Sequence, residues 1–178
     1  MASELTVQTL RGPTSGANAD TVLIPSGQTL DASNGFVAPS GHVIQVIHNG
    51  TTTQVNNGSQ TFIDSALQAG ITPQFATSKI LVLINQNVHK YGAYVDQMQL
   101  RITRDNTPIL TWATEVLHDN GALTHFDIFA SQTYLDSPST TSEVTYRTQF
   151  RRRLTTSASM QVQYAGSRSS ITLMEIAQ

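Results

Sequence analysis

The chain has 178 residues, a formal net charge of −2 and no cysteine, and only 12% of its residues are charged. These numbers exclude disulfides and thiolate metal sites, leave out the basic excess of a nucleic-acid binder, and provide no apolar run of helix-spanning length for membrane insertion. More than a third of the residues are Ser, Thr, Asn or Gln, which solvate strand faces and suit close subunit contacts where a buried charge is costly. A chain of this length can bury roughly 70% of its unfolded surface, enough for one domain plus an arm. Polar tracts can fail to fold, but an apolar content of 39% and the alternating runs below argue against disorder. The opening residues, Met1 to Leu5, have neither a basic stretch nor an apolar core. They do not read as a secretory signal, and synthesis in a cytosol is expected.

Residues 1–40 read as an extended N-terminal arm. Turn residues recur at Gly12-Pro13, Pro25-Ser26-Gly27, Asn34-Gly35 and Pro39-Ser40-Gly41. The apolar pieces between them, around Leu5, Val7, Val22, Leu23, Ile24 and Leu30, are too short to make a core and need a sheet or a partner to pack against. From residue 41 to 178 the chain reads as a succession of strands. Lys79 to Ile84 is a continuous apolar run, the pattern of a strand covered on both faces. Met98, Leu100 and Ile102 alternate with Gln97, Gln99, Arg101 and Thr103. Residues 123–135 form a long run expected to bend or to carry a bulge. Val144, Tyr146, Thr148 and Phe150 alternate with Glu143, Thr145, Arg147, Gln149 and Arg151. Met160, Val162 and Tyr164 alternate with Gln161 and Gln163, and Ile171 to Ile176 closes the chain. Turns are expected at Asn49-Gly50, Asn57-Gly58, Asp105-Asn106, Asn120-Gly121, Ser137-Pro138 and Gly166. Residues 64–70 fit one or two helical turns or a strand edge. The pattern predicts an all-β fold: an antiparallel β-sandwich of jelly-roll type with eight or more strands, a plain sandwich or partial barrel being the alternative.

Catalytic chemistry finds little footing. Asp96, Asp105, Asp119, Asp127 and Asp136 sit mostly beside turns, where aspartate bonds its own backbone. No nucleophile elbow or phosphate loop is present, and no catalytic residue or cofactor is expected. The five histidines, His42, His48, His89, His118 and His125, lack a helical ligand spacing. His125 and Asp127 share one strand face and can ligate a metal there; a solvated, locally bonded pair is the more ordinary outcome, and no metal is expected. Arg151, Arg152 and Arg153 are the one dense charge, with Arg151 and Arg153 on one face. They read as a charged edge that resists aggregation, as an inter-subunit contact through Arg151 and Arg153, or as a contact to an acidic partner or anionic sugar polymer. Tyr91 and Tyr94, beside Lys90, form an aromatic loop able to stack on a sugar. Trp112 is either such a platform or a core residue, since Leu110 and Trp112 alternate with Ile109 and Thr111.

Three groups of stretches carry a resemblance. The first is residues 3–20 (SELTVQTLRGPTSGANAD) with 23–31 (LIPSGQTLD). The second is 41–47 (GHVIQVI), 62–67 (FIDSAL) and 71–84 (ITPQFATSKILVLI). The third is 134–146 (YLDSPSTTSEVTY) with 171–176 (ITLMEI). In this order, over nearly the whole chain, they resemble short virion structural and tail-fibre-tip proteins of tailed bacteriophages, particularly cyanophages. The resemblance implies a virion surface protein, usually a homotrimer, whose arm attaches to the particle while the β-sandwich body is displayed outward. Leu5, Val7 and Leu10 would be the packing residues of that attachment. It supplies no catalytic or binding residues. The chain has no repeats and no shaft, which favours a short fibre, a knob or a head decoration protein. Expected partners are further copies of itself, other virion proteins of tail or capsid, and host cell-surface glycan, with no nucleic acid and no membrane insertion. The alternatives are a capsid decoration (cement) protein, a polysaccharide depolymerase and a cellular β-sandwich lectin.

Overall fold

A computed structural model describes residues 13–17, 22–23, 26–27 and 39–178. Leu5, Val7 and Leu10 lie outside the described residues, as does most of the expected arm. The chain divides into two units, Met1–Val37 and Ala38–Gln178, and the second holds every strand named below.

Among the described residues ten strands run in chain order: β1 (Val43–Thr51), β2 (Val55–Asn57), β3 (Ile63–Ile71), β4 (Lys79–Tyr91), β5 (Met98–Arg104), β6 (Thr107–Val116), β7 (His125–Asp136), β8 (Val144–Arg152), β9 (Ser159–Val162) and β10 (Ser169–Ile176). A single 3-10 turn, Tyr164–Gly166, lies between β9 and β10. All pairings are antiparallel. One sheet orders its strands β1-β10-β4-β7, the other β3-β8-β5-β6. β4 is long enough to hold β10 along its first half and β9 along its second, on the same edge, and β2 extends β9. The pairs β1 with β10, β3 with β8, β4 with β7 and β5 with β6 are the rungs of one long hairpin wrapped into two sheets. That wrapping is the jelly roll.

Alternation along the strands sets the core. Inward-facing Ile80, Val82, Ile84, Ile102, Tyr146, Ile171 and Leu173 form one cluster, and Val88, Met98, Leu100, Phe150, Met160 and Val162 form another. Between them lies a buried polar seam. On β4 it is Gln86, between Ile84 and Val88; on β8 it is Thr148, between Tyr146 and Phe150. Thr148 Oγ1 donates to Gln86 Oε1 at 2.7 Å and lies against Ser65 Oγ. Gln86 Nε2 reaches Ser169 Oγ at 3.2 Å. Gln163, fully buried, joins them with its amide turned so that its oxygen accepts from Gln86 Nε2 at 2.6 Å and its nitrogen donates to the Ser65 and Thr53 carbonyls at 3.1 Å. A buried polar row of this kind is tolerable because each member finds a partner.

Some local expectations hold and others meet a different outcome. Residues 64–70 take the strand-edge alternative rather than the helical one, within edge strand β3; the register slips between Asp64 and Gln68, and Ala66 takes φ 63° in the resulting bulge. Asn49-Gly50 lies inside β1 rather than in a turn, because β10 continues to pair with it through Thr51. Asp105 and Asn106, both at positive φ, make the two-residue turn between β5 and β6. Tyr164 does not continue the β9 alternation: Gln163 adopts φ 51° and breaks the strand, so the following residues coil into the 3-10 turn. Lys79 to Ile84 is not covered on both faces. Ile80, Val82 and Ile84 are core, whereas Leu81 and Leu83 point to the open face and are half-buried. Across that face Val46, Met174, Leu81 and Leu135 stand in one register row, with Val46 and Leu135 each about half exposed.

Candidate functional site

The second half of β4 sends Asn87, His89 and Tyr91 to the open face of the first sheet, because residues two apart share a face. Antiparallel pairing sets His89 beside Asp127 of β7 and Gln161 of β9, and Tyr91 beside His125 and Ser159. The turn after Gln163 then lays the Tyr164 ring flat on the His89 imidazole, with centroids 3.8 Å apart and planes 6° from parallel. Tyr91 meets His125 edge-on at 5.1 Å. Four aromatic rings therefore collect on one sheet face, with Asn87, Asp127 and Gln161 as the polar groups among them.

Hydrogen bonds hold the arrangement. His89 Nδ1 bonds Gln161 Oε1 at 3.1 Å, and His89 Nε2 bonds His125 Nδ1 at 3.1 Å. The Gln161 oxygen only accepts, so the His89 proton sits on Nδ1, and Nε2 accepts from His125 Nδ1–H. Asn87 Nδ2 donates to Asp127 Oδ1 at 2.9 Å, and Asn87 Oδ1 accepts from the Tyr164 backbone N–H at 2.9 Å. Asn87 thus ties the turn that carries Tyr164 to β7. His89 is fully buried beneath the Tyr164 ring. Burial pushes its pKa below the ordinary histidine value; the Gln161 hydrogen bond and the Asp127 charge oppose that shift, and His125 adds to it. Tyr91, 49% exposed, and Phe129, 51% exposed, leave apolar ring surface open to a ligand.

The neighbouring loop is pinned from inside. Lys90, fully buried on the core side of β4, pairs with Asp119 and donates to the Tyr94 carbonyl oxygen at 2.9 Å. The Lys90 hydrogen bond is the chief cause that holds the Asp119 carboxyl below the usual carboxylate range. Gly92, at φ +107°, crosses under the Tyr94 ring, where an added Cβ would come within 2.9 Å of ring carbon.

Of the residues singled out from sequence, Tyr91 joins His125 in this cluster, while Tyr94 packs over Gly92 in the adjacent loop. His125 and Asp127 do share one face. Among the described residues no group of three or more His, Asp or Glu side chains is arranged to hold a metal ion. Trp112 is half-buried and packs against both apolar clusters. Arg151 is on the outer face of the second sheet, stacked at 4.6 Å on Phe62. Arg153 lies just past β8 and pairs with Glu115 of its own chain. Nothing in the sequence joins His89, Gln161 and Tyr164 to Tyr91. The two-residue spacing of Asn87, His89 and Tyr91 was visible, but it says nothing about which strands flank it.

The chain matches no protein-family model and no curated protein. Among solved structures it is similar to the VP2 subviral particle of infectious bursal disease virus, with 15% identity, a TM-score of 0.39 and coverage of 93% of this chain and 46% of that one. It is also similar to the structure of infectious bursal disease virus Gx strain, with 16% identity, a TM-score of 0.42 and coverage of 87% and 42%. The chain spans less than half the length of these structures. The jelly-roll assignment rests on the strand order of this chain itself.

Proposed function

We propose that this protein is a non-enzymatic component of a virus particle surface, carried as a homotrimer, attached through residues 1–40 and contacting host-surface glycan through the Tyr91, His125 and Tyr164 face. The observation that carries the ligand reading is the ring cluster itself. Stacked, hydrogen-bonded aromatic side chains on a paired sheet present flat apolar area at little conformational cost, and a sugar ring offers a matching C–H face. Asn87, Asp127 and Gln161 stand where sugar hydroxyls need partners. Each such contact is weak, and trimeric display raises its effect through effective concentration. The virion reading is supported by the resemblance that runs from residue 3 to residue 176 and by a jelly roll, an architecture that serves both shells and lectins.

A second reading, a capsid decoration protein, is favoured by one feature: the open face carrying Val46, Met174, Leu81 and Leu135. A contiguous apolar row of this kind marks an interaction surface, and seating it on a shell would bury it.

The test is adsorption blocking. Purified full-length protein, trimeric by light scattering, is expected to bind host cells and to slow adsorption of the particle. Tyr91→Ala, with unchanged circular dichroism, is expected to lose both effects. Binding to particles and shell stabilisation on heating, with no binding to cells, would replace the first reading by the second.

A further inference from the structure

The outer face of the second sheet carries two arginines that converge on one ring. Arg101 of β5 places its guanidinium carbon 3.9 Å from the centre of the Phe62 ring, and Arg151 of β8 places its own at 4.6 Å. The pairing of Gln99 with Arg151 and of Arg101 with Gln149 makes the two arginines diagonal neighbours across β5 and β8. Each is held by its inner nitrogen: Arg101 Nε donates to Gln149 Oε1 at 2.8 Å, and Arg151 Nε donates to Gln99 Oε1 at 2.6 Å. One outer nitrogen of Arg151 donates to the Gln60 carbonyl at 3.1 Å.

Carboxylates hold several of the other cations of the chain, but not these two. Lys90, Arg104, Arg147, Arg152 and Arg153 each meet a carboxylate. Arg101 and Arg151, like Lys79 and Arg168, meet none among the described residues, and what sets the two arginines apart is that both stack on one ring. The nearby carboxylate, Asp64, is already engaged by Arg147 at 3.0 Å and by Gln149 at 2.7 Å. Burial pushes the Arg101 pKa down, repulsion from the neighbouring Arg151 guanidinium adds to that shift, and Asp64 opposes it. The ring face and the two glutamines offset that cost and fix the orientation of both forks. A planar fork held at its inner nitrogen and stacked on an aromatic ring presents its outer N–H groups to an oxyanion.

We infer that Arg101 and Arg151, stacked on Phe62, form a binding site for an anionic group, a carboxylate, phosphate or sulfate, carried by an acidic polysaccharide. The site lies on the opposite sheet from the Tyr91 cluster and does not depend on the reading given to that cluster.

The experiment follows the arginine Nε–H resonances while the full-length protein is titrated, at low salt, with inorganic phosphate, inorganic sulfate and a galacturonic acid trisaccharide, using neutral maltotriose as control. Saturable shifts of the Arg101 and Arg151 signals are expected with the anions and not with maltotriose. Stronger binding of the uronate than of the inorganic ions assigns the ligand to a carboxylate sugar; the reverse assigns it to a phosphorylated or sulfated one. Arg101→Gln and Arg151→Gln should each weaken binding by about tenfold, the loss of one charge-assisted contact. Arg147→Gln, which removes an arginine already paired with Asp64, should weaken it little. Equal losses in all three variants would overturn the site in favour of a diffuse field. Absence of saturable binding would overturn it too. So would dissociation of the oligomer in Arg101→Gln, which would give the arginines to a carboxylate of another copy.

Discussion

The polar seam between the two apolar clusters makes a sharp prediction at Thr148. Its side chain is fully buried, and its hydroxyl donates to Gln86 Oε1 at 2.7 Å. Thr148→Val keeps the shape and removes the donor. Gln86 Oε1 would then retain only the Ser65 hydroxyl, at 3.4 Å, a distance at which a hydrogen bond is weak. A buried acceptor left in that state costs about 1–3 kcal/mol. For a chain of this size each kcal/mol lowers the melting temperature by about 2–4 °C, so a fall of about 2–12 °C is expected. Urea unfolding should show a lower midpoint with an unchanged slope, since the surface exposed on unfolding stays the same. Because Ser65 and Thr148 share one acceptor, Ser65→Ala combined with Thr148→Val should depart from additivity by about 0.5–3 kcal/mol. A Thr148→Val protein as stable as wild type, or more so, would refute the hydrogen-bonded seam and make the interior one continuous apolar core.

Acid should loosen the ring cluster. The His89 pKa is lower in the folded protein than in the unfolded chain, so the unfolded state binds more protons as the pH falls below about 6.5, the ordinary histidine value. Stability from this group is complete above that pH and declines below it, and thermal melts at pH 7.5 and 5.0 should differ less in His89→Gln than in wild type. Gly92→Ala should destabilise by about 1–3 kcal/mol in chemical denaturation, because it forces a side chain into φ +107° against the Tyr94 ring. Phe150→Ala, which empties a fully buried position in the second cluster, should cost about 3–5 kcal/mol by the same assay. Tyr164→Ala should leave the sheet folded, expose His89, and raise the His89 pKa toward the ordinary value in an NMR titration.

The strands that alternate cleanly were legible in the sequence. Met98, Leu100 and Ile102, then Val144, Tyr146 and Phe150, then Ile171 and Leu173 all face the core as their period of two requires. The Asp105-Asn106 turn was equally legible, since both residue types tolerate positive φ. Asn49-Gly50 misled because a turn-prone dipeptide yields to a strand when a neighbour such as β10 offers a full ladder. Lys79 to Ile84 misled because an apolar run reports hydrophobicity and not what covers it. The site was legible only in part. Tyr91 stood out as an aromatic near glycine, and His125 with Asp127 by their spacing. Their union with His89 depends on contacts across 36 and 72 residues of chain, and only the strand order supplies those. The Arg101 stack on Phe62 was hidden for the same reason: Phe62 precedes β3, whereas the arginines stand on β5 and β8.

The measurement that tests the account most directly is the position of this chain on intact particles, by cryo-electron microscopy of purified virions with the copy number taken from the same images. Jelly-roll density is expected on the outer surface in groups of three, at the tail for a fibre or spike component and over the shell for a decoration protein. A protein absent from purified particles, or enclosed within the shell, would contradict it.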